Sequence, residues 1–80
     1  MPVPLYGFLQ NDTVGLLILA EEEDTLQSLA QKLQDGASLR VARKDHVQVM
    51  YNDKLMDQAI TIAQAGIQAL DRFDVTEGKP

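Results

Sequence analysis

Side chains that could perform catalysis are few in this chain. The one histidine, His46, stands beside Asp45, and the 80-residue sequence contains no cysteine. A metal site needs several ligands at a suitable spacing, and neither His-x-x-x-His nor Glu-x-x-His occurs. Ser28 and Ser38 lie outside any Gly-x-Ser-x-Gly motif, so no motif supports a serine nucleophile. The sequence therefore predicts no catalytic, cofactor-binding or metal-binding residue, and a hydrolase that uses His46 and Asp45 stays open as a minor alternative.

The charged residues argue against two classes of ligand. The formal net charge is −5, from 12 acidic and 7 basic residues. Because Lys and Arg neutralise phosphate groups, an acidic chain is a poor binder of nucleic acid and of anionic membranes. The glycines are dispersed, so no phosphate-binding loop is indicated. Arg40, Arg43 and Lys44 form a small basic group that either keeps the surface soluble or contacts a protein partner.

Length and composition predict one small cytoplasmic domain. A chain of 80 residues with 45% hydrophobic residues can form one modest core. A disulfide-free domain of this size is typical of the cytosol. No signal peptide is visible, and no apolar run approaches the roughly 20 residues that span a bilayer. We expect a single domain over residues 1–80, with a frayed tail at residues 76–80.

The first half of the chain predicts a hairpin followed by a helix. Strands are expected at residues 3–9 and 14–20, around a turn at Asn11-Asp12. A helix is predicted at residues 25–35, with Asp24 as N-cap, Gln27 completing a capping box and Gly36 as residue C′. One apolar face at i, i+3, i+4 and i+7 is formed by Leu26, Leu29, Ala30 and Leu33.

The second half predicts further strands and one helical turn. The strands are expected at residues 46–51, 54–56 and 72–76, and a short strand at residues 39–41 is also considered. Thr61 caps and Gly66 ends a helical turn over residues 61–67. This order predicts an α+β fold, the β-grasp (ubiquitin-like) roll. In that fold one main helix packs on one face of a mixed sheet, and the first and last strands lie parallel in its middle.

The second strand is apolar on both of its faces. Side chains alternate along a strand, so Leu17 and Leu19 point opposite to Val14, Leu16, Ile18 and Ala20. One helix covers only one face of the sheet, and the second strand of a β-grasp sheet lies at an edge. We therefore expect an exposed apolar patch, which usually marks an interface. The predicted interface residues are Tyr6, Phe8, Leu17, Leu19, Met50, Arg40 and Arg43.

Several segments together are typical of one family. They are Pro4, Phe8 with Asn11-Asp12, residues 16–19, residues 24–32, Arg40-Val41, residues 61–67 and Asp74-Val75. In these segments the chain resembles the small γ subunit of toluene-4-monooxygenase and related bacterial multicomponent diiron monooxygenases, the B protein of that system. The resemblance extends over nearly the whole chain. The chain departs from the family in a shorter loop after the helix and in a third strand without arginines.

The resemblance implies a structural role rather than a catalytic one. In such hydroxylases the α subunit carries the diiron centre and oxidises aromatic or alkene substrates with O₂. The γ subunit packs on the hydroxylase and supplies no iron ligand. The resemblance thus implies the hydroxylase α and β subunits as partners and no cofactor in this chain. A free-standing ubiquitin-like adaptor, such as those associated with bacterial secretion systems, is the alternative.

Overall fold

A five-stranded mixed sheet and two helices make up the computed structural model, which describes residues 2–78. The strands are β1 (Pro2–Leu9), β2 (Leu16–Glu21), β3 (Val47–Tyr51), β4 (Lys54–Met56) and β5 (Arg72–Glu77). The helices are α1 (Leu26–Gly36) and α2 (Ile62–Ala65). The sheet order is β2-β1-β5-β3-β4, in which β1 and β5 are parallel and the other neighbours antiparallel. The predicted β-grasp fold, with its first and last strands parallel in the middle, is confirmed.

The prolines of β1 stand at positions whose backbone nitrogens point away from β2, so the hydrogen-bond ladder between β1 and β2 loses no donor. The Tyr6 N–H donates to the Asp71 carbonyl (2.9 Å), and the Pro4 carbonyl accepts from the Leu70 N–H (2.6 Å). The backbone groups of Tyr6 and Pro4 therefore point away from β2. Because this direction alternates along an antiparallel pair, the hydrogen-bonded pairs are Val3 with Ala20, Leu5 with Ile18 and Gly7 with Leu16. A proline at position 2 or 4 thus leaves the β1–β2 ladder intact.

The core lies between α1 and one face of the sheet. The apolar stripe predicted for the helix is buried along its whole length, from Leu26 to Leu33. The largest fully buried side chain is Phe73 of β5. Its ring lies 2.8 Å from the point where a Cβ on Gly7 would stand, so a larger residue at position 7 would displace it. The hydrophobic core residues are Val3, Leu5, Leu9, Ile18, Ala20, Leu26, Leu29, Ala30, Leu33, Ala37, Val49, Ile62, Ile67, Phe73 and Val75.

The start of α1 differs by one residue from the prediction. Thr25 is the N-cap, and its Oγ1 accepts a hydrogen bond from the Ser28 N–H (3.2 Å). The Asp24 carboxylate instead accepts from the Glu21 N–H (2.9 Å) and so closes the turn after β2. The predicted capping box of Asp24 with Gln27 is therefore wrong, because this turn already holds the carboxylate.

The end of α1 also differs from the prediction. Gly36 is the last residue of the helix, and Ala37 is the C-cap, with φ −100° and an N–H directed at the Leu33 and Gln34 carbonyls. The N–H groups of Arg40 and Val41 both donate to the Ala37 carbonyl at 2.9 Å. The short strand considered at residues 39–41 is therefore a turn. Because Ala37 ends the helix at negative φ, no left-handed residue is needed there.

The short helix α2 follows the prediction. Thr61 caps it with a full capping box, in which Gln64 N–H donates to the Thr61 hydroxyl (3.1 Å) and Gln64 Oε1 accepts from the Thr61 N–H (2.9 Å). Gly66 ends the helix in the left-handed conformation, with φ 76°. The last strand, β5, continues through Glu77, so the predicted frayed tail does not begin at residue 76. Residues 79 and 80 of that tail lie outside the described residues.

Candidate protein interface

The face of the sheet opposite α1 is formed by every second residue of each strand. On β2 the inward residues are buried at Ile18 and Ala20, whereas Leu17 and Leu19 point outward. Val14 precedes the strand and is exposed, so it does not join the inward set as the prediction had it. The other outward residues are Pro4, Tyr6 and Phe8 on β1, Arg72, Asp74 and Thr76 on β5, Gln48 and Met50 on β3, and Leu55 on β4.

Apolar side chains collect where β1 and β2 meet on this outer face. We call this group, Pro4, Tyr6, Leu17 and Leu19, the β1–β2 margin. Tyr6 is the register partner of Leu17, and Pro4 is the partner of Leu19. The exposed fractions are 57% for Leu17, 64% for Leu19 and 44% for Tyr6. The margin is therefore a contiguous apolar surface, as expected from the two-faced second strand.

Phe8 extends the margin but is held by the chain itself. The Arg72 guanidinium carbon lies 4.0 Å from the centre of the Phe8 ring, within the range of a cation–π contact. On another side, a Cβ on Gly15 would stand 2.7 Å from the ring. Arg72 also donates hydrogen bonds to Asp74. Phe8 is accordingly half-buried and fixed in place, and it offers a partner less apolar area than Leu17 or Leu19.

Met50 lies on the same face but on the far side of a charged strip. Its register partners are Leu55 on β4 and Asp74 on β5. Arg72 and Asp74 of β5 therefore separate Met50 from the β1–β2 margin. The structure brings Tyr6, Phe8, Leu17 and Leu19 together, and it places Met50 on the same face, on a strand that β5 separates from β1.

Arg40 and Arg43 lie away from the outer face, in the loop between α1 and β3. Arg40 donates two hydrogen bonds to the Asp12 carboxylate, at 3.0 and 2.9 Å. The Asp12 side chain is 2% exposed, and the hydrogen bonds from Arg40 lower the pKa of its carboxyl group below the ordinary value. Arg43 pairs with Asp35. Both arginines thus bind acids of their own chain, and both lie in the α1–β3 loop rather than on a strand of the outer face.

His46 and Asp45 line a polar groove beside α1. The groove has a volume of about 510 Å³, and its walls include Gln27, Gln31 and Gln34. The Gln34 side chain is fully engaged, since it accepts from the Lys44 N–H (2.7 Å) and donates to the Lys44 carbonyl (3.3 Å). Within residues 2–78, no three His, Asp or Glu side chains stand close enough to hold a metal ion.

A partly buried hydrogen bond ties the end of β3 to the residue before β5. The Tyr51 hydroxyl donates to the Asp71 carboxylate at 2.5 Å, and the Gln68 N–H donates to the same oxygen at 2.9 Å. The hydrogen bond raises the pKa of Tyr51 and lowers that of Asp71. The Asp71 carboxylate therefore stabilises the loop that leads into β5.

The sheet order, the parallel central pair and the uncovered outer face define a ubiquitin-like protein with an apolar margin. The chain belongs to the toluene-4-monooxygenase system protein B family, whose model matches residues 2–76. It is therefore a subunit of a monooxygenase system, as the resemblance predicted. No curated protein sequence matches the chain significantly.

Solved structures with low sequence identity share the fold. One is a chain in the toluene 4-monooxygenase HD complex with the inhibitor 4-bromobenzoate, with a TM-score of 0.90, 21% identity and coverage of 98% of this chain and 100% of that one. Ubiquitin from Caldiarchaeum subterraneum has a TM-score of 0.78 and 11% identity, covering 100% and 98%. The N-terminal ubiquitin-like domain of the 4931431F19Rik protein has a TM-score of 0.77 and 10% identity, covering 99% and 77%.

Neither α1 nor α2, the helices within residues 2–78, has the length and apolar character that crossing a membrane requires.

Proposed function

We propose that the chain is a non-catalytic subunit of a cytoplasmic diiron monooxygenase that acts on aromatic hydrocarbons. It assembles with the hydroxylase α and β subunits through the β1–β2 margin, while the diiron centre belongs to another subunit. The observation that carries the proposal is an apolar margin of two leucines and a tyrosine left uncovered in a member of the protein B family.

The energetics of the margin favour a docking role. Fully burying a leucine contributes about 1.5–3 kcal/mol. Because more than half of Leu17 and of Leu19 stays exposed in the monomer, covering them would contribute roughly 1 kcal/mol each or more. A small domain with modest total stability gains nothing from leaving these side chains in water. A partner that covers the margin recovers that free energy.

Three acidic side chains have structural roles. Three carboxyl groups, those of Asp12, Asp24 and Asp71, have pKa values lowered by hydrogen bonds from Arg40, the Glu21 N–H and Tyr51. A general acid at neutral pH needs the opposite, a carboxyl group with a raised pKa. These side chains fix a turn, the approach to α1 and the loop before β5.

Substitution of Leu17 by Asp tests the docking role. We expect Leu17→Asp to abolish co-purification with the hydroxylase subunits, because burial of an unpaired carboxylate costs at least about 2 kcal/mol, or about 30-fold in Kd. The free variant should lose no more than about 1 kcal/mol of stability, since more than half of the Leu17 side chain is exposed. Leu39→Asp is the matched control, because Leu39 is 100% exposed in the α1–β3 loop and lies outside the margin.

The outcomes separate docking from folding. Loss of assembly for Leu17→Asp, with normal assembly for Leu39→Asp, supports the proposal. Equal assembly of both variants would remove the β1–β2 margin from the interface. A wild-type chain that forms no complex with the hydroxylase subunits would overturn the proposed function as a whole.

A further inference from the structure

The outer edge of β2 carries backbone groups that have no partner within residues 2–78. The residues of β2 that exchange hydrogen bonds with β1 are Leu16, Ile18 and Ala20, as the directions of the Tyr6 and Pro4 backbone groups require. The N–H and C=O groups of Leu17 and Leu19 therefore point away from β1, to the open side of the sheet. No hydrogen bond links them to the rest of residues 2–78.

The open segment of the β2 edge ends at Glu21. The next outward-pointing residue, Glu21, has both backbone groups engaged by the turn: its N–H donates to the Asp24 carboxylate (2.9 Å), and its carbonyl accepts from the Asp24 N–H (3.0 Å). Pairing with a further strand is therefore restricted to the stretch centred on Ile18. The side chains that flank this stretch on the outer face are those of Leu17 and Leu19.

Edge strands of folded proteins are usually protected against pairing by short length, lysine, proline or bulges. The opposite edge of this sheet follows that rule, because β4 has three residues and begins with Lys54. The β2 edge does not, since it has six residues, LLILAE, with neither lysine nor proline. An unprotected edge next to an exposed apolar margin is suited to strand addition.

We propose that β2 is extended by a strand from the hydroxylase, which pairs with the backbone of Leu17 and Leu19. This inference rests on the proposed function and specifies how docking occurs. The added segment is extended, apolar at the alternate positions that lie over the margin, and basic at the end that reaches Glu22 and Glu23. Both of these glutamates are exposed beside the end of β2.

The net charge favours a different protein, rather than a second copy of this chain, as the source of the added strand. Each chain carries a net charge of −5, so two copies repel each other, whereas a strand with Lys or Arg beside Glu22 and Glu23 gains complementary contacts. The geometry thus favours a hetero-complex in which the sheet of this subunit continues into its partner.

Amide hydrogen exchange at single-residue resolution tests the proposal without any substitution. In the free full-length chain, the Leu17 and Leu19 amides should exchange rapidly and the Ile18 amide slowly, because of these three residues only Ile18 donates to β1. In the complex with the hydroxylase α and β subunits, exchange of the Leu17 and Leu19 amides should slow by about 100-fold or more, with Ile18 remaining slow. A complex in which these two amides stay fast overturns strand addition and leaves the proposed function standing.

Two substitutions of Leu17 distinguish the contribution of its backbone N–H to binding from that of its side chain. Leu17→Ala removes the side chain and keeps the N–H, whereas Leu17→Pro also removes the donor at a position where β1 does not use it. We expect Leu17→Pro to bind the hydroxylase at least about tenfold more weakly than Leu17→Ala, because one interface hydrogen bond is lost and its acceptor is left unpaired. Equal affinities of the two variants contradict the proposal. A free chain that dimerises with protection of the same two amides assigns the edge to a second copy and also overturns it.

Discussion

Ile18 and Leu19 are neighbours on β2 with opposite surroundings, and substituting each by alanine should separate folding from assembly. Ile18 is 9% exposed and packs under α1, whereas Leu19 is 64% exposed on the outer face. Ile18→Ala leaves a cavity in the core. Leu19→Ala removes a side chain that mostly contacts water in the monomer and, on our account, the hydroxylase in the complex.

The expected magnitudes differ by several-fold. Truncating a buried isoleucine to alanine costs about 2–5 kcal/mol, and Ile18 lies at an edge of the core, so we expect about 2–3 kcal/mol. In a domain of this size, that loss lowers Tm by roughly 10–20 °C. About a third of Leu19 is buried, so Leu19→Ala should cost the free chain less than about 1 kcal/mol. In the complex the same truncation should weaken binding by about 1–2 kcal/mol, or roughly 5- to 30-fold in Kd.

Two assays measure these effects. Urea unfolding of the free chain gives the free energy of unfolding of each variant, and titration of hydroxylase α and β subunits gives Kd after correction for the folded fraction. If Leu19→Ala destabilised the free chain as much as Ile18→Ala, Leu19 would belong to the core and the reasoning would be refuted. An unchanged Kd for Leu19→Ala would refute its place in the interface.

Three further predictions concern the chain alone. Gly66→Ala should lower the free energy of unfolding by about 1–2 kcal/mol. The φ of residue 66 is +76° and no atom lies within 4 Å of the added Cβ, so backbone strain is the whole cost. Gly15→Ala should instead displace the Phe8 ring, which NMR ring-current shifts would report, and unchanged shifts would contradict the contact. Arg40→Gln should lower the free energy of unfolding near pH 7, because the hydrogen bonds from Arg40 hold the Asp12 pKa below its ordinary 3.8. The contribution of the pair is present above about pH 4 and is lost as the pH falls through the folded-state pKa of Asp12. Urea unfolding near pH 3 should therefore show a smaller difference from wild type, and an equal difference at both pH values would contradict this assignment.

The architecture could be predicted from local signals in the sequence. Alternation of apolar side chains fixed which face of β2 lies inward, and the i, i+3, i+4, i+7 spacing identified the buried stripe of α1. Thr61 and Gly66 marked both ends of α2, because a hydroxyl cap and a left-handed glycine act on the neighbouring backbone. Each of these signals lies within a few residues of the structure that it specifies.

Contacts between distant segments could not be predicted in this way. Asp24 has the residue type and position of a helix cap, but Thr25 one residue on suits that role equally, and the turn after β2 decides between them. The pairing of Arg40 with Asp12 joins residues 28 positions apart, and no sequence rule reveals it. The contact of Phe8 with Arg72 likewise depends on the parallel pairing of β1 with β5.

Part of the candidate site could be predicted from local patterns, and the rest depends on contacts between distant segments. Leu17 and Leu19 follow from strand periodicity, and Tyr6 follows from the hairpin register. The separation of Met50 from this group by Arg72 and Asp74 follows only from the strand order, which places β5 between β1 and β3. The open backbone of the β2 edge depends on the hydrogen-bonding direction at Pro4 and Tyr6, which the Leu70 and Asp71 backbone groups reveal.

Native mass spectrometry of material purified from the host tests whether this chain is a subunit docked on the hydroxylase. We expect the chain to be recovered in stoichiometric amounts in a complex with a large iron-containing subunit, and the Leu17→Asp chain to be absent from that complex. Recovery of the wild-type chain as a monomer, with the iron-containing subunit assembled and active without it, would contradict the account.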